Sequence, residues 1–167
     1  VDDEVRWLAQ EEMRTWLSYV ATSTLLESAL DRQLQRDSGM PHAYYQILAI
    51  LSGVEDRTLR MSDLAAMTQS SQSRLSHAVN RLENNGWVVR AQCPDDRRGT
   101  LATLTEQGRK VLEEAAPGHV RTVRQHLFDR LSCEQVRQLG EILATVLDGL
   151  LDERGGDIPL PPGARPA

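Results

Sequence analysis

The sequence predicts a mainly α-helical fold that carries one small β-hairpin, an α+β arrangement. Three observations lead there. Apolar residues recur at helical spacing in the longer segments, strand character is concentrated in WVVRA (87–91) and TLATL (100–104), and Gly, Pro, Asp and Ser clusters separate the segments. Hydrophobic residues make up 40% of the 167 and charged residues 26%, a balance that supports a packed core. No apolar run reaches the roughly 18 residues of a membrane-spanning helix, and the acidic start VDDEVRWL lacks a signal pattern. These features imply a cytoplasmic protein with no membrane partner.

The first segment, from about Gln10 to Asp37, has no Gly or Pro. Met13, Trp16, Leu17, Val20, Ala21 and Thr24 form one helical stripe, and Leu26, Leu30 and Leu34 form a second, rotated stripe. Two stripes imply two packing neighbours. Gly39 suits a left-handed C-cap. Pro41 opens a second helix through Ser52, followed by a loop to Arg57 and a very short strand at Thr58–Met61. Ser62 reads as the N-cap of a helix over Asp63–Met67. After a turn at Thr68–Ser70, Ser71 or Ser70 caps a helix that runs to Asn84 or Asn85, and Gly86 ends it.

The two strand-like runs enclose QCPDDRRG, which makes them a β-hairpin with a long tip. Thr105 then caps a helix from Glu106 toward Arg130, in which Pro117-Gly118 predicts a kink or a short break. The last helix starts after Ser132. Its Val136, Leu139, Leu143, Val146 and Leu150 alternate steps of three and four, as in a coiled-coil seam or a small-protein core. With the two-striped first helix, the seam favours a homodimer. RGGDIPLPPGARPA reads as a disordered tail.

Helix, tight turn, helix and hairpin in this order make a winged helix-turn-helix. Ala65 sits where the two helices approach closely, and Leu75 plugs the gap between them. Gln69 stands where the turn's usual glycine would be, although glutamine tolerates a left-handed backbone poorly. On the second helix Leu75, Ala78, Val79 and Leu82 form the buried stripe. The other side presents Gln72, Ser73, Arg74, Ser76, His77 and Asn80, a hydrogen-bonding face with no carboxylate before Glu83. Arg and Asn read guanine and adenine edges in a major groove, and Ser and Gln contact phosphates or bases.

The charge distribution agrees with double-stranded DNA as partner. The chain's net charge is −5, but residues 1–56 balance at −6, residues 57–110 at +4 and residues 111–167 at −3. A basic middle between acidic flanks suits a DNA reader on a scaffold of another role. Arg97 and Arg98, at the tip of the hairpin, suit a minor groove about 6 Å wide, where negative potential attracts arginine. A winged helix used for protein binding is the alternative, but it has no need of these arginines or of an acid-free helix face. Enzyme chemistry finds no support. There is no Gly-rich phosphate loop, nucleophile elbow or paired carboxylate site. His42, His77, His119 and His126 are scattered, and Cys93 and Cys133 lie far apart, so no metal or other cofactor is expected and the cysteines read as free thiols.

WVVRAQCPDDRRGTLATLTEQGR resembles the wing signature of the multiple antibiotic resistance regulator (MarR) family. Asp96 and Arg98 match its Asp-x-Arg element, and Leu104, Thr105 and Gly108 match the opening of the next helix. RLENNGWVVR resembles the end of that family's recognition helix. The resemblance covers roughly residues 10–152 and is strong over 60–110. It implies a triangular homodimer joined by the first and last helices, and a repressor released by a small, often aromatic, effector or by oxidation. Residues 1–40 would then be an N-terminal dimerisation helix, 41–105 the DNA-binding lobe, 106–152 C-terminal dimerisation helices and 153–167 the disordered tail. The operator would be pseudo-palindromic. The resemblance also implies that Asp96 braces the wing against an arginine, Arg98 itself or Arg81. Trp16, Tyr19, Tyr44 and Tyr45 are core residues or the walls of an aromatic effector pocket. Cys93 in the wing supplies an alternative redox-responsive reading.

Overall fold

The computed structural model describes residues 5–94, 96, 99–153 and 159–164. Helix α1 (Gln10–Ser38) begins where the Glu12 carboxylate accepts the Ala9 N–H at 2.7 Å, and ends at Gly39 in the left-handed conformation, φ 61°. Its C-terminal part, which carries Leu30 and Leu34, is the only part that touches the rest of the fold closely. Residues 5–25 are all exposed. Helix α2 (His42–Ser52) follows Pro41, and its first N–H is taken by Asp31 of α1 at 2.9 Å, so one helix caps the next.

A single 3₁₀ turn (Glu55–Arg57) leads to strand β1 (Thr58–Arg60), helix α3 (Met61–Met67), helix α4 (Gln72–Asn84) and strands β2 (Val88–Gln92) and β3 (Thr100–Leu104). The sheet is antiparallel in the order β1-β3-β2, with Arg60 opposite Leu101 and Val88 opposite Leu104. Helices α5 (Glu106–His126) and α6 (Cys133–Asp152) complete the chain, and Ser132 and Gln135 form a reciprocal capping box on α6. The core lies in the lobe between α2 and β3: Leu48, Leu51, Leu64, Leu75, Val79, Leu82 and Val88 are all within 1% of full burial. No helix among the described residues is long and apolar enough to cross a membrane.

Three elements differ from the sequence expectation. Ser62 does not cap α3. The helix starts at Met61 directly from β1, Arg60 occupies the cap position, and the Ser62 hydroxyl turns to Asp63 at 3.2 Å. Helix α5 is not broken at Pro117, and it stops at His126 instead of Arg130, because Leu127 leaves the helical region (φ −123°, ψ −74°). Close packing of α5 on α1 at Gly118 offsets the hydrogen bond that proline removes, since a Cβ at Gly118 would stand 2.6 Å from the Gln33 amide. Residues 159–164, expected to be disordered, fold back on the lobe with Pro159, Leu160 and Pro161 half-buried.

Candidate nucleic-acid interface

The recognition face is set by the register of α4. The Ser71 hydroxyl accepts the Arg74 N–H at 3.3 Å and so fixes where the helix begins. Leu75, Val79 and Leu82 are then buried to within 1%, which turns the opposite face outward. On it Gln72, Ser73, Arg74, His77, Asn80 and Arg81 are exposed and Ser76 is half-buried, so the residues chosen from sequence do share one accessible surface. Glu83, the carboxylate at the end of this helix, is occupied. Arg90 of β2 donates to it from its backbone N–H at 3.2 Å and from Nε at 2.9 Å. These hydrogen bonds hold its carboxyl below the usual range. The pair also ties the recognition helix to the wing.

The turn between α3 and α4 places Ala65 (5% exposed) against Leu75 (1%). Gln69 does adopt the left-handed conformation, φ 50°, and its side-chain amide donates to the Ala66 carbonyl at 2.8 Å. A left-handed non-glycine residue costs about 1–2 kcal/mol, part of which this hydrogen bond recovers.

At the wing, the Cys93 N–H donates to the Gly99 carbonyl at 2.9 Å and the Gly99 N–H to the Asp96 carbonyl at 2.8 Å, closing the tip. Arg97 and Arg98 lie outside the described residues. The Asp96 carboxylate meets Arg60 of β1, Oδ2 to Nη1 3.3 Å; of the two arginines expected there, Arg81 is exposed on the last turn of α4 and Arg98 lies outside the described residues. Sequence reasoning missed Arg60 because its nearness to the wing appears only once β1 pairs with β3. Arg60, Ser62, Gln72, Ser76, Arg90 and Asp96 together line a polar groove of about 380 Å³ between α3, α4 and the wing. Cys93 is buried, 6% exposed, under the folded tip. The redox reading required an accessible thiol and loses its basis there.

The four aromatic residues separate. Trp16 and Tyr19 stack on each other, 6.1 Å between ring centres, on the exposed half of α1. Tyr44 is half-buried against the core. Tyr45 lines a cavity of about 440 Å³, whose walls include His42, Gln46, Ala49, Ile50 and His119. The His119 ring lies 4.3 Å from Tyr45 and 5.6 Å from His42. Burial pushes both imidazoles down, and Glu27 and Asp31 oppose the effect at His42. No spacing in the sequence announces this pair, because α2 and α5 bring it together from distant positions. Among the described residues no group of three or more His, Cys, Asp or Glu is arranged to hold a metal ion.

The apolar seams at the two ends of the chain are open. Trp16, Leu17 and Val20 of α1 and Ile142, Leu143, Val146 and Leu150 of α6 are each at least 41% exposed.

The sequence profile of the MarR family matches residues 38–99. Among curated proteins, the chain is 28% identical over 141 residues to the transcriptional repressor MprA of Escherichia coli strain K12, covering 84% of this chain and 78% of that one. It is 30% identical over 140 residues to the HTH-type transcriptional regulator YfiV of Bacillus subtilis, covering 82% and 83%. Among solved structures, Sco3205 of Streptomyces coelicolor, a MarR family transcriptional regulator in complex with DNA, is 53% identical with a TM-score of 0.85, covering 95% of this chain and 99% of that one. AbsC of the same organism, also a MarR family regulator, is 40% identical with a TM-score of 0.80, covering 87% and 98%.

Proposed function

The chain belongs to the MarR family of transcriptional regulators and is not an enzyme, and from that membership we propose that it binds a pseudo-palindromic duplex operator as a homodimer, represses transcription there, and is released by a small molecule. The observation that carries the reading is the outward face of α4. Its only charges are cationic, the carboxylates beside it, Glu83 and Asp96, are paired with Arg90 and Arg60, and it is flanked by a wing tied by backbone hydrogen bonds at Cys93, Asp96 and Gly99. Arg74, His77, Asn80, Ser73 and Ser76 read base edges in the major groove, with Gln72 at the phosphates. Arg97 and Arg98 enter the neighbouring minor groove, and Arg60 and Asp96 hold the wing at the angle this needs.

Residues 41–105 form the reading lobe. Residues 1–40 and 106–152 form the dimerisation arms, whose exposed seams cover one another in the two-fold pair. Two recognition helices then meet half-sites about one helical turn, roughly 34–36 Å, apart. Repression follows the role of MprA, a transcriptional repressor, and the DNA complex of Sco3205 supports DNA as ligand. The effector site is the cavity walled by Tyr45, His42 and His119, between an arm and the lobe. An apolar ring with one hydrogen-bonding group fits that lining.

Selection of bound duplexes from a random pool, followed by titration at two salt concentrations, tests this. The expected result is one palindromic motif bound by two chains, with affinity falling log-linearly with salt. Recovery of no motif, together with no retention on heparin, would overturn it.

A further inference from the structure

The C-terminal segment does something that neither the reading face nor the arms explain. Helix α6 has two sides. Leu143 and Val146 are exposed on one, while Leu147 is half-buried and Leu151 is 8% exposed on the other, with the more exposed Leu150 beside them. That second side meets Met67 and Gln69, the end of α3 and the turn before the recognition helix, across an apolar groove of about 360 Å³. Leu160 and Pro161 sit in the same groove. Pro161 also forms part of the wall of the Tyr45 cavity.

Gly53 gives an independent sign that this seat is built. It ends α2 with φ −91° and ψ 0°, a conformation open to any residue. Nothing in the backbone requires glycine there, but a Cβ would stand 2.9 Å from Cγ of Pro162. The glycine is needed for room, and the tail takes that room. The tail is also inexpensive to order. Three of its four residues 159–162 are proline, with φ already fixed, and the Ala164 N–H closes a turn on the Pro161 carbonyl at 3.1 Å.

We propose that residues 159–164 are a strap that fixes the reading lobe against α6, and so holds the two recognition helices of the dimer at operator spacing. This rests on the operator reading above. The strap spans the end of α2, the turn at Gln69 and the inner side of α6, which joins the element that reads DNA to the element that sets the distance between readers. A lobe tied in this way cannot swing freely on the arms, and an effector in the Tyr45 cavity would lie against Pro161.

Three variants test it: a chain stopped after Glu153, Gly53→Val, and both changes together. Hydrogen exchange is measured over residues 64–70 and 147–151. Affinity is measured for the duplex recovered from the random pool and for versions with one base pair added to or removed from its centre. The strap predicts that the stopped chain and Gly53→Val each exchange roughly tenfold faster at the turn. Each should also lose most of the preference for the native spacing. In the stopped chain, Gly53→Val should change nothing further, because the ring it would strike is gone. Unchanged exchange and spacing preference in the stopped chain would overturn the proposal, and so would an equal effect of Gly53→Val with and without the tail. Should the full chain bind no duplex at all, the operator reading fails, and the exchange measurement still decides whether the strap holds.

Discussion

The reading lobe and the proposed dimerisation arms are both built on amphipathic helices and treat their apolar residues in opposite ways. In the lobe, every large apolar residue on the inner side of α4 is within 1% of full burial, and a short helix, a turn and a three-stranded sheet close around it. In the arms, residues 10–25 of α1 bury nothing, and α6 leaves Ile142, Leu143, Val146 and Leu150 at 49–60% exposure. A helix of 29 residues is about 43 Å long, and here more than half of it waits for a neighbour. The lobe's core is closed within one chain, with Leu34 of α1 and Leu112 and Ala115 of α5 completing it. The arms defer theirs to a second chain, in keeping with the proposed homodimer.

The largest expected effect breaks the lobe. A Cβ on Gly108 would lie 2.1 Å from the Trp87 carbonyl oxygen, a backbone atom that cannot move aside, where the start of α5 docks on β2. Gly108→Val should cost more than about 3 kcal/mol, at the upper end of overpacking, and leave no cooperative thermal transition. A variant that melts like the parent would show that this docking is not a keystone. Next comes the arms. Leu143→Glu with Val146→Glu places charge on exposed seam positions and should yield monomers whose lobe still folds. Sedimentation checks it. A monomeric parent at micromolar concentration would remove the contrast between the two regions altogether.

The same contrast explains what could be read from sequence. Lobe elements obey local rules: Ser71 and Thr105 cap, Gly86 turns with φ 74°, and a buried stripe fixes each helix face. The α4 face, the hairpin and the Thr105–Gly108 motif were legible for that reason. Three features were not. Arg60 meets Asp96 only through a strand of three residues, His42 meets His119 only through the packing of α2 and α5, and the tail's seat depends on space at Gly53. Each is a meeting of distant positions with no periodicity to announce it. Trp16 and Tyr19, read as core or as pocket walls, are not in the core: both lie on the exposed half of α1, along the seam of the proposed homodimer.

A mid-sized effect sharpens the comparison at the reading face. Arg74→Ala should weaken operator binding by about 1–3 kcal/mol and relax discrimination at one position per half-site, without altering the melting curve. Uniform weakening across all sequences would assign Arg74 to phosphate. At the border of the two regions, the junction should respond to pH. Burial pushes the His42 and His119 imidazoles below their ordinary 6.5, with Glu27 and Asp31 opposing at His42. The unfolded chain takes up these protons first, so stability is full above pH 6.5 and falls as the pH drops through it. Glu106, held down to about 2 by hydrogen bonds from Arg109 and Arg57, starts to lose its contribution only as the pH falls through its ordinary 4.5, below this window. A loss of thermal stability between pH 7.5 and 5.5 that shrinks in His119→Gln is the expected signature. An equal loss in that variant would assign the effect elsewhere.

The smallest expected effect tests the wing, where two simple arguments point in opposite directions. Asp96 stands in a loop proposed to face phosphates, so electrostatics alone predicts that Asp96→Asn binds DNA more tightly. Geometry predicts the reverse. The carboxylate meets Arg60 at 3.3 Å, and the Asp96 carbonyl accepts the Gly99 N–H, so the residue anchors the tip that carries Arg97 and Arg98. Both partners are more than 40% exposed, which limits such a pair to about 0.2–1 kcal/mol. Asp96→Asn should therefore weaken operator binding by no more than about fivefold. Arg60→Ala should weaken binding by a similar amount, and the double variant by less than the sum of the two, because the changes share one ion pair. Arg98→Ala should differ in kind, weakening most sequences alike and flattening the salt dependence. Titration of one labelled operator at two salt concentrations separates these cases. Tighter binding by Asp96→Asn at both concentrations would mean that charge outweighs anchoring, and the wing would then hold its shape without Arg60.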